Sequence, residues 1–137
     1  YHFPTKEDLG VAMTQRYNDR FLASLGDPRD GRTPDQKRTA FVAGFRAALI
    51  EENLMCLCGV LGAESASLPQ PVANAAKAFF ERTRDWLLAA LESDPDLAEA
   101  QTREAAALEL VARLEGAMIM AQCMKDVSVF DRVTGSA

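Results

Sequence analysis

Histidine is almost missing from this chain: His2 is the only one in 137 residues. A lone imidazole that close to the start leaves no Ser/His/Asp or Cys/His arrangement to build. It also excludes the paired Glu-x-x-His ligands of a di-iron helical bundle. No glycine-rich phosphate loop is present, and Glu51 and Glu52 fall where a solvated helix end accounts for them. The chain therefore reads as a non-enzyme without a bound cofactor. Cysteine is scarce as well, with three residues. An odd number makes no disulfide framework and fits a reducing cytoplasm. Cys56 and Cys58 lie two apart, which on a helix turns their side chains about 200° from each other. With no second Cys/His pair to complete a site, a shared metal ion is excluded, and buried, inert thiols are expected at Cys56, Cys58 and Cys123.

Basic charge is also lacking. The net charge is −5, which argues against a surface that holds nucleic acid by bulk electrostatics. No apolar run is long enough to span a bilayer, and the opening residues do not read as a signal peptide, so no membrane partner is expected. No stretch alternates apolar and polar residues with β-branched enrichment, so strands are excluded too. What remains is an all-α chain with an ordinary balance of 48% hydrophobic and 26% charged residues. Its length suits one domain with a real core.

The stretch Leu97–Met124 organises the rest. It has no proline and consists mostly of strong helix formers. On a helical wheel Ala107, Leu110, Leu114, Ala117, Met118 and Ala121 share one side, and Leu108, Val111, Ala112 and Ile119 form a second apolar group beside it. Only the Glu109–Arg113 line is left for water. A helix this apolar is buried on two sides, and a chain of this size covers one of them. A second copy of the protein is the simplest cover for the other. The expected dimer contacts are Leu108, Val111, Leu114, Met118 and Ile119, with the neighbouring 72–92 helix sharing the interface.

The remaining helices follow from their boundaries. Thr5 is an N-cap with Asp8 three residues on, and Pro4 stops the preceding chain from running into the helix. Asp8–Leu25 carries Leu9, Met13, Tyr17, Phe21 and Leu25 at four-residue spacing, and ends at Gly26, suited to a left-handed position, before a turn through Gly31. Thr33, Pro34 and Gln36 form a capping box with proline at the first helical position. The helix they start has Phe41, Val42, Phe45, Ala48 and Leu49 on one face. Leu54–Ala63 is short and apolar, with Gly59 and Gly62 marking close packing or room for a ligand. Ser65–Pro71 is a connector. Val72–Glu92 is amphipathic and turns through Ser93–Asp96 into the organising helix, with which it should run antiparallel. Val127–Val133 is a short last helix before a loose Gly135 terminus. The result is a bundle of about five to six helices.

The opening YHFPTKEDL is the most specific stretch. It resembles the junction in tetracycline-repressor (TetR/AcrR) family regulators, where the DNA-recognition helix ends and the regulatory domain begins. His2, Phe3, Thr5, Lys6, Glu7 and Leu9 fall on that pattern, and Leu114–Ala121 resembles part of the final long helix of many such regulators. The resemblance implies that residues 1–4 are the tail of a truncated helix-turn-helix DNA-binding domain and 5–137 a ligand-binding and dimerisation domain. It implies a homodimer built as a four-helix interface from the last two long helices of each subunit, and contacts to DNA from Tyr1, His2 and Lys6. It also implies an effector cavity, expected to be lined by Met13, Tyr17, Phe21, Phe45, Met55, Leu61, Phe79 and Trp86. That lining suits a small, apolar or aromatic effector with few charges. The alternative is a helical protein-interaction module with neither a small-molecule ligand nor a DNA partner, and the YHFPTKEDL junction favours the regulator.

Overall fold

The computed structural model describes residues 2–51 and 57–135. They form six helices: α1 (Lys6–Leu25), α2 (Pro34–Glu51), α3 (Leu57–Ala63), α4 (Gln70–Ala90), α5 (Ala100–Met124) and α6 (Val127–Thr134). There is no strand among the described residues. Single 3₁₀ turns, Ser65–Ser67 and Pro95–Leu97, precede α4 and α5.

Local chemistry sets the boundaries. The Thr5 hydroxyl accepts from the Asp8 amide at 3.0 Å and donates to the Asp8 carboxylate at 2.6 Å, which starts α1. Thr33 and Gln36 close a reciprocal box on α2: each side chain accepts from the other's backbone N–H, at 3.2 and 2.9 Å. Gly26 stops α1 at φ 77°, ψ −170°. That region is open essentially only to glycine and differs from the left-handed helical conformation expected there. The Arg32 guanidinium then donates to the Leu25 carbonyl at 2.7 Å, satisfying one acceptor the helix end leaves over. The long helix starts at Ala100 instead of Leu97, because the Asp94 carboxylate accepts from the Asp96 amide and caps the 3₁₀ turn first. Asp126 caps α6 in the same way, from the Ser128 amide. The expected start of the third helix, at residues 54–56, lies outside the described residues.

Helix α4 packs against α1, α3 and α5, while α5 also packs against α2 and α6. Arg84 of α4 lies 4.0 Å from Glu104 of α5, and Leu88 and Ala89 share a cleft with Ala100 and Arg103. High numbers on one helix meet low numbers on the other, so the pair runs antiparallel. The expected core side of α5 is in place: Ala107, Leu114, Ala117, Met118 and Ala121 are buried and Leu110 packs against them. The ridge expected on α1 is only half right. Phe21 and Leu25 are buried, but Leu9 is 40% and Met13 55% exposed. A four-residue step overshoots a turn by about 40°, so the ridge winds off the contact face towards its N-terminal end. Thr14 and Asn18 hold the buried positions instead.

These buried polar groups are satisfied. Thr14 and Thr83 donate back to the carbonyls of Gly10 and Phe79 on their own helices. Asn18 donates to the Ala75 carbonyl of α4 at 3.3 Å and accepts from the Cys58 thiol of α3 at 3.2 Å. No helix among the described residues is long and apolar enough to cross a membrane.

Two outcomes test this packing. Phe21→Ala should cost on the order of 3–5 kcal/mol in chemical denaturation, while Leu9→Ala should stay within about 0.5 kcal/mol. Equal losses would mean the α1 ridge is buried along its whole length. The second concerns Asp94, which pairs with Arg38 of α2. The Arg38 guanidinium, helped by the Asp96 amide, holds its carboxyl below the usual value. A carboxylate with a depressed native pKa stabilises the fold above its unfolded pKa of about 4 and stops doing so as pH falls through the native value. The stability gap between the wild type and Asp94→Asn should therefore be full at neutral pH and close in acid. A gap that does not change with pH would remove the pair's role.

Candidate functional site

The recess that carries the expected aromatic lining is a groove of about 510 Å³ between α1 and α2. From α1 it takes Met13, Arg16, Tyr17, Arg20, Phe21 and Ser24; from α2 it takes Gly44, Ala47, Ala48 and Glu51. Leu57 of α3 completes the described lining. The small residues of α2 make it possible. A Cβ on Gly44 would stand 3.1 Å from the Phe21 ring, so the ring lies directly against bare α2 backbone. Another recess, about 360 Å³ at the α5–α6 turn, is lined by Leu49, Ala121, Gln122, Lys125, Asp126 and Val127. It has a polar rim and none of the expected aromatic side chains.

Of the residues expected in the cavity, Met13, Tyr17 and Phe21 line the groove. Phe45, Phe79 and Trp86 do not. They are buried in a close-packed aromatic cluster. Phe21 meets Phe45 edge-on at 5.2 Å and Phe79 at 5.7 Å, and Phe41 stacks on Trp86 at 5.8 Å. The Trp86 indole N–H donates to the Gly26 carbonyl at 2.9 Å, which uses its one polar atom structurally. Leu61 is partly buried on α3 away from the groove, and Leu57, one turn earlier, takes the place expected of it. Met55 lies outside the described residues. Gly62 borders a separate recess of about 400 Å³ with Phe80 of α4, which holds none of the residues expected in the cavity.

The groove residues not anticipated from the sequence are Arg16, Arg20, Ser24, Gly44, Ala47, Ala48, Glu51 and Leu57. A signal for some of them was present: Arg16 and Arg20 flank Tyr17 on the helix that carries Met13 and Phe21. Gly44, Ala47 and Ala48 recur at helical-face spacing on α2.

The dimer residues expected on the long helix divide in two. Val111, Leu114 and Met118 belong to the subunit's own core, with Leu114 and Met118 at 0% exposure. Leu108 and Ile119 point outward at 51% and 47%. They share an outward stripe with Ala105, Ala112, Gly116 and Cys123, and Met120 and Met124 are exposed nearby. Cys123 is thus an exposed thiol, not a buried one, while Cys58 is buried and Cys56 lies outside the described residues. The 72–92 helix contributes no apolar outer face. Its apolar side is used on α1, α3 and α5, and Asn74, Lys77, Arg82 and Asp85 are what it shows to solvent. At the other end, His2 and Lys6 are exposed beside the first turn of α1, and Tyr1 lies outside the described residues. No cluster of His, Cys, Asp or Glu among the described residues is placed to hold a metal ion.

Residues 34–136 match the family model described as the C-terminal domain of LmrA/YxaF-like transcriptional regulators. The chain belongs to the TetR family of transcriptional regulators. Its fold superimposes on a TetR transcriptional regulator from Legionella pneumophila with a TM-score of 0.89 and 30% identity, over 98% of this chain and 73% of that one. A TetR-family regulator from Agrobacterium tumefaciens gives a TM-score of 0.87 and 26% identity, over 98% and 74%. No curated protein sequence matches the chain. The TetR assignment agrees with the all-helical fold and with the junction motif at its start.

Proposed function

We propose that residues 5–137 are the effector-binding and dimerisation domain of a cytoplasmic TetR-family regulator whose helix-turn-helix head precedes Tyr1, with residues 1–4 the tail of that head. The observation that carries this reading is the position of the groove. Its richest wall is α1, the helix whose first turn holds Lys6 beside the DNA-side junction. A small effector with an apolar or aromatic body, seated on Met13, Tyr17 and Phe21, pushes α1 relative to α2. That displacement changes the spacing of the two DNA-binding heads in a dimer. Tyr1, His2 and Lys6 touch phosphates and position the head without reading bases. The second copy docks on the outward α5 stripe, with Leu108 and Ile119 at its centre and the polar side of α4 at its rim.

Ligand binding to the folded state raises the melting temperature in a concentration-dependent way. A panel of apolar and aromatic metabolites should do this for the wild type and fail to do so for Ala47→Phe, which fills the groove from α2. A wild type that responds no more than the variant would leave the protein-interaction module as the better reading. For the dimer, Leu108→Glu combined with Ile119→Glu places charges on residues already half exposed in the subunit. The double variant should stay folded and become monomeric by light scattering. Leu114→Glu should unfold instead, because it buries an unpaired charge. A wild type that is monomeric at micromolar concentration removes the interface.

A further inference from the structure

Among the described residues, Arg16 and Arg20 are the arginines that no hydrogen bond or ion pair holds. The others are all engaged: most by Asp or Glu side chains, and Arg103 and Arg113 by the carbonyls of Leu97 and Val133. Both unheld guanidinium groups line the same groove, and their four-residue spacing puts them on one edge of α1. In a chain of net charge −5, the described lining of this groove reverses the sign, with two arginines against the single carboxylate of Glu51. No ion pair joins Glu51 to either of them. The Ser24 hydroxyl is already committed to the Phe21 carbonyl at 2.6 Å, so it is not the group that orients a ligand.

We infer that the effector is an organic carboxylate, its apolar body lying on Met13, Tyr17, Phe21 and Leu57 and its carboxylate held by Arg16 and Arg20. This rests on the groove being the effector site. The chemistry matches on both halves. A planar guanidinium presents paired N–H donors at the spacing of two carboxylate oxygens, and such charge-assisted contacts exceed neutral ones in strength. The arginines stand at the solvent edge, where a charged head keeps part of its hydration, while the small residues of α2 leave room for a ring below.

The test uses the full-length regulator and isothermal titration with 2-naphthoate, its neutral isostere 2-naphthamide, and 2-naphthylmethylammonium. Naphthoate should bind about tenfold or more tighter than the amide, and the ammonium weakest. Raising the salt should narrow the difference. In the double variant Arg16→Gln, Arg20→Gln the naphthoate affinity should fall to that of the amide, and the amide affinity should stay where it was. Both side chains are exposed, so the variant keeps the wild-type melting temperature. Equal binding of naphthoate and amide to the wild type overturns the carboxylate inference and leaves the groove as an effector site. A naphthoate preference that survives in the double variant overturns it as well. Binding of none of the probes at millimolar concentration removes the groove as an effector site, and the inference with it.

Discussion

The Phe21 ring is the contact on which the rest of the bundle depends. It comes from α1, meets Phe41 and Phe45 of α2 edge-on at 5.9 and 5.2 Å, and meets Phe79 of α4 at 5.7 Å. Three helices are thus joined through one side chain, with the two α2 rings in the edge-to-face geometry that aromatic quadrupoles prefer and the Phe79 ring tilted. One edge of the same ring lies against Gly44 and forms part of the groove floor. Core and groove are therefore continuous. A molecule that presses on Phe21 presses on the packing of α1 against both α2 and α4.

Much of this was legible in the residue pattern. Capping residues marked the starts of α1 and α2, because a cap is a local hydrogen bond between residues a few positions apart. The core side of α5 could be read from the wheel for a similar reason, since its periodicity is sustained over many turns. Errors arose where a residue's fate depends on distant partners. Phe45, Phe79 and Trp86 are the kind of aromatic residue that lines pockets, yet they stack on one another from separate helices, and no local spacing predicts that. Leu114 and Leu108 are equally apolar and six residues apart, and only the placement of α4 and α6 decides which faces inward. Leu9 and Met13 misled for a purely geometric reason, the drift of a four-residue repeat around the helix.

The groove itself arises from a contrast between the two helices that form it. On α2, Arg46 holds Asp131 of α6 through two contacts of 2.7 and 3.0 Å, and Arg38 holds Asp94 at the α4–α5 turn. The side-chain hydrogen bond to Asp131 raises the Arg46 pKa further above its usual value. Helix α2 is therefore anchored to the α5–α6 side of the bundle. Helix α1 is anchored to α4, through Asn18 and the aromatic cluster. Between the two runs the seam of Gly44, Ala47 and Ala48 against Tyr17 and Phe21, which no ion pair among the described residues closes.

The hydrogen bonds of Asn18 also govern how α1 can move. Its amide is shared between the Ala75 carbonyl and the Cys58 thiol, and the residue is 1% exposed. Apolar side chains sliding past one another lose contact gradually, but a buried amide displaced by an ångström or two has lost its partners and found no water to replace them. Intermediate positions of α1 along α4 are therefore disfavoured relative to a seated one. The helix is notched, not greased, and its travel would take the form of a jump between seatings. With the effector seated as proposed, such a notch would turn a graded push in the groove into an all-or-none displacement at the far end of the helix.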